Sequence, residues 1–287
     1  MKKKFRDESP RFKVQGSKFK TEDRRPKTED RQTNSAIRDS QSAILFGVLP
    51  VLEALRSENR RIEKILVADG AKEKRLFEIL DLAQTKGIQF QRIPRENFSR
   101  FVENGANHQG VIALVAAATY FDTDKLLEEI YAKENALVVI LDGVEDPRNL
   151  GAILRTVEAA GADGVFIPER RAVGLTETVA KSSAGATEYV KVAKVANINR
   201  LIDELKEHNI WVVGTSGEAE TDYTDWDWTR NSALVLGGEG KGLHRLVAEK
   251  CDALVKIPMS GKIESLNVSV AAGVILFEAI RQRRIKN

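Results

Sequence analysis

Apolar residues in the second half of the chain follow two alternating patterns. Short apolar runs such as LVVIL (137–141) predict strands that are buried on both faces. In LGAILRTVEAAG (150–161), apolar residues recur every three or four positions, which predicts an amphipathic helix that ends at Gly161. The same patterns predict further strands in GVFIP, EYVKVAKV, IWVVGTSG, ALVLGGEG and ALVKIPMSG, and further helices in ETVAKSSAGA, INRLIDELKEHN and NVSVAAGVILFEAIRQRR. Their alternation predicts a parallel sheet with helices on both faces.

A smaller α/β domain is predicted ahead of this sheet, over residues 42–118. Helical patterns in GVLPVLEALRS and AKEKRLFEILDLAQTKG alternate there with strand patterns in IEKILVA, IQFQRI and GVIALVAAA. Residues 119–135 are predicted to be a linker with its own short helix, which Asp122 or Thr123 would cap. The larger domain then covers residues 136–287.

The first 41 residues differ from the rest in composition. Residues 1–40 hold 13 Lys or Arg and seven Asp or Glu, with few apolar residues between them. Such a segment cannot bury enough apolar surface to fold, which predicts a disordered basic tail over residues 1–41. The tail could contact nucleic-acid phosphates or could serve solubility alone, and its composition leaves both interpretations open.

The overall composition excludes several classes of protein. It is 42% hydrophobic and 30% charged, which is ordinary for a globular protein. No apolar run approaches the ~20 residues that a membrane-spanning helix needs, and the N-terminus lacks the apolar core of a secretory signal. The single cysteine, Cys251, excludes an internal disulfide and a cysteine-cluster metal site, and is predicted to be a packed residue at a helix end. We therefore expect a cytoplasmic protein.

A loop after one predicted strand contains four glycines among its six residues, 237–242. It does not match the P-loop, because Lys241 is followed by Gly242 instead of Ser or Thr. It does not match the dinucleotide-binding pattern either, because the third glycine of that spacing is missing. Glu239, at the centre of the loop, would also repel a phosphate. The loop is therefore expected to bind a ligand other than a phosphate.

The ends of several predicted strands are rich in Gly, Pro, Ser and Asn. In an open parallel sheet these carboxyl ends gather at one edge, where ligands bind. Glycine lets the backbone approach a ligand closely, which suits an adenine held by main-chain groups better than a polyphosphate. The segments concerned are DGVEDPRN, GTSG, GGEGKG and IPMSGKIESLN.

Four polar residues near these loops have both a functional and an ordinary structural interpretation. Asn149 and Asn267 each precede a predicted helix, where Asn is a common cap. Arg155 lies on the helix face opposite the apolar stripe, where solvent-exposed Arg is common. The ordinary interpretation of Glu239 is an exposed carboxylate in a loop. The pattern alone leaves both interpretations open for each of them.

Three longer segments resemble the sequence motifs of the TrmH family of SPOUT-class RNA ribose methyltransferases, in the family's order and spacing. They are LDGVEDPRNLGAILRTVEAAGADGVFIP, LVLGGEGKGL and IPMSGKIESLNVSVAAGVILFEAIRQR. The stretches SSAGATEYVKV and NHQGV also fit the family, and the leading domain resembles its L30e-like RNA-binding module. The resemblance covers the chain from about Ser42 to the end and does not extend to the basic tail.

The resemblance implies a C-terminal SPOUT domain whose parallel sheet contains a trefoil knot, preceded by a smaller N-terminal L30e-like α/β domain. It implies an enzyme that transfers a methyl group from S-adenosylmethionine to a ribose 2′-hydroxyl, in a homodimer whose site uses both subunits. The implied substrate is structured RNA, most closely a guanosine in 23S rRNA. Two alternatives remain, namely a tRNA ribose methyltransferase of the same family and a non-catalytic RNA-binding or ribosome-assembly factor that keeps the knot.

The match to the family's motifs also implies roles for individual residues. The expected catalytic residues are Asn149, Arg155, Glu239, Ser265 and Asn267. The expected cofactor-binding residues are Thr215, Gly217, Gly237, Gly238, Ile257, Met259 and Leu266. The residues expected to contact RNA are His108, Gln109 and Arg148, and no metal ligand is expected.

Arg155 has two possible roles under this resemblance. The family suggests Arg155 as the base, yet a guanidinium ordinarily keeps its proton in proteins. Its alternative role is to steer the phosphate beside the target ribose through a bidentate contact, and Glu239 would then either accept the proton or orient the loop.

Overall fold

The computed structural model describes residues 42–71, 74–103 and 105–286, and the basic tail predicted over 1–41 lies outside them. The leading layer is a four-stranded sheet in the order β1-β4-β2-β3, in which β4 runs antiparallel to both of its neighbours and β3 runs parallel to β2. Its strands are β1 (Ser42–Phe46), β2 (Ile62–Ala68), β3 (Phe90–Ile93) and β4 (Val111–Ala116), and its helices are α1 (Val48–Ser57) and α2 (Lys74–Thr85).

The larger layer contains a seven-stranded sheet in the order β7-β6-β5-β10-β8-β11-β9, with every neighbouring pair parallel. Its strands are β5 (Leu137–Asp142), β6 (Gly164–Pro168), β7 (Val192–Val195), β8 (Trp211–Thr215), β9 (Thr221–Asp222), β10 (Ser232–Gly237) and β11 (Ala253–Lys256). Its helices are α3 (Thr123–Tyr131), α4 (Pro147–Ala160), α5 (Glu177–Ser182), α6 (Ile198–Glu207), α7 (Arg245–Lys250) and α8 (Val268–Lys286).

Both faces of this sheet are covered, which confirms the predicted arrangement. Successive residues of a strand point to opposite faces, and β5 supplies both cores in this way. Val139 packs with apolar residues of α4 and α8 on one face. Val138 packs with α3 and α6 on the other. The central strands are wholly buried because both faces carry helices.

The strand order reverses at the centre of the sheet, where the chain stops adding strands on one side of β5 and begins to add them on the other. From β5 the chain moves outward through β6 and β7, and the later strands β10, β8 and β11 lie on the other side of β5. In open parallel sheets, ligands bind beyond the carboxyl ends of the strands at such a switch point. The edge beyond β5 and β10 is therefore the expected ligand site.

Some element boundaries differ from those predicted. The strand β1 was not predicted, and it pairs antiparallel with β4 from Ser42 to Phe46. The helix predicted over ETVAKSSAGA ends at Ser182, because Ala184 and Gly185 adopt left-handed backbone angles. A short 3-10 turn, Ala186–Glu188, follows, so the strand predicted over EYVKVAKV is reduced to β7.

The segment predicted as a linker packs on the larger sheet. Asp122 caps α3 by accepting a hydrogen bond from the backbone N–H of Lys125 at 3.0 Å. The apolar side of α3 is fully buried against the second core through Leu126 and Ile130. The helix is thus a structural part of the larger layer.

The two layers meet at α5 and the turn that follows it. The Lys181 ammonium donates to the carbonyl of Asn107 at 2.7 Å, and the Glu177 carboxylate accepts from the N–H of Ile44 at 3.2 Å. Arg60 lies 3.4 Å from Glu188, and both side chains are nearly buried. Burial raises the pKa of Glu188, although Arg60 opposes this shift.

Cys251 lies at the end of α7, where its thiol donates to the carbonyl of Val247 at 3.2 Å. Burial raises the pKa of this thiol to about 12. The thiolate, which is the reactive form of cysteine, is therefore scarce at neutral pH.

Candidate active site

A cavity of about 1260 Å³ lies at the carboxyl edge of the sheet, beyond β8, β10 and β11. It is formed by the strand ends and by the loops that follow them. All seven residues predicted to bind a cofactor line it, namely Thr215, Gly217, Gly237, Gly238, Ile257, Met259 and Leu266. Three of the predicted catalytic residues, Glu239, Ser265 and Asn267, line it as well.

Two glycines allow the wall of this cavity to fold tightly on itself. A β-carbon on Gly237 would lie 2.1 Å from the backbone carbon of Gly242, and one on Gly238 would lie 2.3 Å from the carbonyl oxygen of Gly143. Real β-carbons do not approach other atoms so closely, so neither position has room for a side chain. The close approach is held by the N–H of Gly242, which donates to the carbonyl of Gly238 at 3.1 Å.

Three polar side chains from distant parts of the chain meet beside the cavity. The side-chain amide of Asn149 donates to Oε1 of Glu239 at 2.6 Å. The amide of Asn267 donates to the same oxygen at 2.9 Å and contacts Oδ1 of Asn149 at 3.0 Å. Asn149 is only 8% exposed, so its conformation is fixed by packing as well as by these bonds. We call these three residues the polar cluster.

Local sequence explains how Asn149 is presented. Asp146 is the N-cap of α4, and its carboxylate accepts from the N–H groups of Arg148 at 2.6 Å and Asn149 at 3.3 Å. Pro147 at the first helical position is preorganised for a helix start. Asn149 therefore lies in the first turn of α4. The residue that caps the helix is Asp146, not Asn149.

A second, smaller cavity of about 370 Å³ adjoins the polar cluster. Its lining consists of Gly143, Val144, Glu145, Asp146, Asn149, Glu239 and Val268. Glu239 lines both cavities. A group bound in one cavity and a group bound in the other would consequently meet at this carboxylate.

Arg155 is not brought to this cluster within one chain. It is exposed on α4 and lines neither cavity. Its neighbour Thr156 lies against α8, where a β-carbon on Gly273 would be 3.9 Å from the Thr156 methyl group. Arg155 therefore lies on the outer surface beside the pair of helices α4 and α8.

The three residues predicted to contact RNA occupy different settings. The ring of His108 stacks against Phe98 at 4.5 Å, and its Nδ1 accepts from the N–H of Gly110 at 3.1 Å. Burial, aided by nearby Arg95 and Lys181, lowers the pKa of His108, which favours the neutral ring.

Gln109 and Arg148 are both exposed. The side-chain oxygen of Gln109 accepts from the N–H of Val48 at 2.9 Å and so satisfies the start of α1. Its amide group is left for other partners. Arg148 lies in the first turn of α4, directly before Asn149.

Sequence reasoning missed a pair that joins β5 to the glycine loop. Asp142 is 4% exposed and accepts from both the backbone N–H and Nδ1 of His244, each at 2.8 Å. A polar residue that ends a wholly apolar strand was the available signal. Its partner lies 102 positions away, which no local pattern could reveal.

Within the described ranges, no three His, Cys, Asp or Glu side chains converge in a way that could hold a metal ion. Among the same residues, no helix is long and apolar enough to cross a membrane.

Comparison with known proteins matches each of the two layers to a family model. The model of the SpoU rRNA Methylase family matches residues 136–277, and the model described as RNA 2′-O ribose methyltransferase substrate binding matches residues 44–121. YacO of Bacillus subtilis (strain 168), grouped with the TrmH family tRNA/rRNA methyltransferases, is 46% identical over 240 residues, which are 83% of this chain and 95% of YacO. The chain belongs to the SpoU rRNA methylase family.

Solved structures of SpoU methyltransferases share this fold. The methyltransferase AviRb from Streptomyces viridochromogenes, in complex with the cofactor AdoMet, superposes with a TM-score of 0.71 at 26% identity, over 91% of this chain and 95% of AviRb. An AdoMet-bound rRNA methyltransferase from Sinorhizobium meliloti gives a TM-score of 0.69 at 26% identity, over 86% of this chain and 90% of that protein.

Family membership makes the chain an RNA ribose 2′-O-methyltransferase that depends on S-adenosylmethionine, as the resemblance implied. The larger cavity fits this cofactor chemically. It combines apolar side chains such as Leu236 and Val255 with backbone groups that Gly217 and Gly237 leave accessible. Such a mixture suits a flat, uncharged base next to a polar amino-acid moiety.

Proposed function

We propose that this SpoU methyltransferase modifies the ribose 2′-hydroxyl of a guanosine in 23S rRNA, with the polar cluster as the reaction site. The observation that carries the proposal is the position of Glu239. Its carboxylate lines the cavity suited to the cofactor and the smaller cavity beside Asn149. A ribose held in the smaller cavity would therefore meet Glu239 at the boundary with the cofactor site.

The chain's own residues hold the cofactor and orient the nucleotide. Thr215, Gly217, Gly237, Gly238, Ile257, Met259 and Leu266 are proposed to hold S-adenosylmethionine. When bound, it supplies a methyl group that its sulfonium has already activated for attack by the ribose oxygen, and the carbon–sulfur bond breaks in the transfer, which leaves S-adenosylhomocysteine. Alignment of reacting groups can lower a barrier by ~7–11 kcal/mol, so positioning is the main task that remains for the protein.

The polar cluster prepares one carboxylate oxygen for the ribose hydroxyl. Asn149 and Asn267 both donate to Oε1 of Glu239. This leaves Oε2 able to accept from the 2′-hydroxyl and to take its proton as the new oxygen–carbon bond forms. Ser265 lines the larger cavity beside Leu266 and is proposed to help orient the substrate.

Arg155 is proposed to act from the second subunit of a homodimer. It is exposed and lies outside both cavities of its own chain, so a role in the reaction requires another chain to carry it to the site. A guanidinium there would bind the phosphate beside the target ribose through paired hydrogen bonds.

Helix α8 supports such a dimer. Its inner side is buried through residues such as Ile275 and Leu276, yet Val270 and Phe277 on its outer side are 51% and 52% exposed. A helix that is apolar on both sides is usually buried on both sides. A second copy that packs on α4 and α8 in a two-fold interface would cover this outer side and bring Arg155 near the partner's site.

The leading layer, predicted over 42–118 and joined to the domain predicted over 136–287, is proposed to hold the folded RNA. Support comes from the match of residues 44–121 to a substrate-binding model. Neutral His108 would contact the RNA through its ring, Gln109 through its free amide group, and Arg148 through phosphate. The guanosine target rests on the resemblance of the three motifs.

We further propose that the glycine loop belongs to a trefoil knot. Strand β10 lies between β5 and β8, and the loop after it folds back until Gly237 and Gly242 are in contact. This tight crossing is the kind of feature that a knotted chain requires. The expected cytoplasmic location of the protein stays a prediction.

A tRNA substrate is the second candidate. Relatives such as YacO are grouped with methyltransferases of both tRNA and rRNA. The substrate-binding layer favours rRNA, since tRNA ribose methyltransferases of the resembling family often lack such a leading domain and carry basic terminal helices instead.

Radiolabelled S-adenosylmethionine distinguishes the two substrates. The purified protein is incubated with unmodified 23S rRNA or with unmodified bulk tRNA, and label in each RNA is counted. We expect label in 23S rRNA and none in tRNA. Label in tRNA alone would replace the rRNA proposal with the second candidate.

A further inference from the structure

A buried carboxylate ends the central strand β5. Asp142 is 4% exposed, while the five residues before it in the strand are apolar and buried. A carboxylate removed from water is costly unless hydrogen-bond donors replace the water. In the described part of the chain, the hydrogen bonds to this carboxylate come from His244.

Asp142 contacts both ends of the glycine loop. Its main-chain carbonyl accepts from the N–H of Gly238 at 2.9 Å, where the loop begins. Its Oδ2 accepts from the N–H of His244 at 2.8 Å, where the loop ends. Its Oδ1 lies 2.8 Å from Nδ1 of His244, and since a carboxylate can only accept, Nδ1 carries the hydrogen. We call these three hydrogen bonds the Asp142 clasp.

The segment between the two ends of the clasp carries the chemistry of the site. It includes Glu239, whose carboxylate contacts Asn149 and Asn267. Gly238, Glu239 and Gly242 also line the larger cavity. Opening the loop would leave the buried Asp142 carboxylate without donors, so the cost of that burial opposes opening.

We propose that Asp142 is a positioning residue for methyl transfer, acting through His244 to hold the glycine loop in the shape that presents Glu239 and closes the cofactor cavity. The inference rests on the proposed function of the polar cluster. It assigns Asp142 no contact with the substrate, because Asp142 lines neither cavity.

Asp163 provides a matched control at the opposite end of the same strand. Its carboxylate accepts from the N–H of Leu137 at 2.7 Å, and its side chain is 11% exposed. Asp163 lies directly before β6, so Asp163→Ala also removes a carboxylate that binds the backbone of β5, at the amino edge and away from both cavities, together with its ion pair to Lys133. Its effect measures the general cost of losing such a contact.

Asp142→Asn tests the clasp by rescue. The asparagine oxygen can still accept from the His244 N–H, and its amide can donate to Nδ1 if the imidazole moves its hydrogen to Nε2. The ring of His244 is 55% exposed, so this change of tautomer costs little. Asp142→Ala loses both side-chain bonds, and His244→Ala loses only the bond from the ring.

Three measurements are made on each full-length variant. They are the affinity for S-adenosylhomocysteine by calorimetry, amide hydrogen exchange of residues 238–244 without ligand, and single-turnover methyl transfer to 23S rRNA. For Asp142→Ala we expect about 100-fold slower transfer, since misplacement of about 1 Å can cost that much. We also expect about tenfold weaker binding and about tenfold faster loop exchange, the loss of one hydrogen-bond-sized contribution.

The other variants complete the pattern. Asp142→Asn should stay within about threefold of the wild type in all three measurements, and Asp163→Ala should match the wild type in binding and loop exchange. His244→Ala should give effects between those of Asp142→Asn and Asp142→Ala. Unchanged loop exchange in both Asp142→Ala and His244→Ala would overturn the clasp. So would equal effects of Asp142→Ala and Asp163→Ala. If Asp142→Ala fails to fold, His244→Ala decides the question.

Failure of the clasp and failure of the proposed function give different results. If the wild-type protein binds S-adenosylhomocysteine but methylates no RNA, the proposed function is wrong. Loop exchange and calorimetry would still report whether Asp142 holds the loop. If the wild-type protein methylates RNA but loop exchange is unchanged in Asp142→Ala and His244→Ala, only the clasp proposal is wrong.

Discussion

The proposed chemistry depends on the carboxylate of Glu239. Two amide groups converge on its Oε1, which fixes the side chain and leaves Oε2 to the ribose hydroxyl. A carboxylate that accepts the proton during transfer would act as a general base, worth roughly 10²–10⁴-fold in rate.

Substitution Glu239→Gln separates this charge from the shape of the cluster. The glutamine oxygen can still accept from Asn149 and Asn267, but the side chain can no longer take up a proton readily. We expect single-turnover transfer to fall about 100-fold or more, with affinity for S-adenosylhomocysteine nearly unchanged. The control is Glu249→Gln, which removes an exposed carboxylate that pairs with Arg245 on α7. If transfer by Glu239→Gln stays within about threefold of the wild type, Glu239 is not the proton acceptor.

The location of the cavity could be predicted because strand ends converge at one edge of a parallel sheet, whereas the roles of individual residues came only from the resemblance to the family. Thr215, Gly237 and Ile257 each follow or end a strand, and all line the cavity. The Asp142–His244 contact could not be predicted, since it joins residues that only the completed sheet brings together. For Arg155, the motif indicated a role, but Arg155 is exposed and lines neither cavity, so the single chain does not show where it would act.

At the scale of elements, the glycine loop is the segment that tolerates side-chain substitution least. Gly237 ends β10, and the backbone of Gly242 fills the space where a β-carbon would lie. Gly217 lines the same cavity after β8, yet a β-carbon there would meet its nearest neighbour, the Glu264 carbonyl, at 3.9 Å. The two glycines therefore differ in purpose.

This difference predicts unequal results for two alanine substitutions. Gly237→Ala should displace the loop and reduce affinity for S-adenosylhomocysteine about 100-fold or more, because overpacking typically costs about 1–3 kcal/mol and the loop also forms the cavity wall. Gly217→Ala should reduce affinity less than Gly237→Ala does, because a β-carbon at Gly217 meets no protein atom closer than 3.9 Å and leaves the loop in place, so that it could crowd only the bound cofactor. Calorimetry on both variants checks this, and equal losses would show that the crossing at Gly237 has no special role.

Long elements were predicted better than short ones, for a physical reason. Helix α4 and strand β5 have enough residues for an unambiguous spacing, and their apolar positions are buried as expected. Strand β1 has five residues of mixed burial and depends on pairing with β4. The end of α5 depends on left-handed angles at Ala184 and Gly185, which the apolar spacing does not encode.

At the scale of the whole molecule, the role proposed for Arg155 requires two chains for one site. This arrangement can be tested with two inactive variants. In a mixture of Arg155→Ala and Glu239→Gln subunits, each mixed dimer would contain one site with both residues intact.

If Arg155 acts on the partner's site, refolding or exchange of an equal mixture should restore about a quarter of wild-type transfer, since half of the dimers are mixed and each holds one intact site. Analytical ultracentrifugation verifies that dimers form. Phe277→Asp, placed on the outer side of α8, should prevent both dimer formation and the rescue. Dimers that form without rescue would mean that Arg155 acts within its own chain or not at all.

The central claim is transfer to a ribose 2′-hydroxyl at the polar cluster, and the identity of the methylated nucleoside tests it most directly. Unmodified 23S rRNA is labelled with the purified protein, digested to nucleosides and separated by chromatography with mass detection. We expect label in 2′-O-methylguanosine with the wild-type protein and none with Glu239→Gln. Label on a base instead of a ribose, or undiminished label with Glu239→Gln, would contradict it.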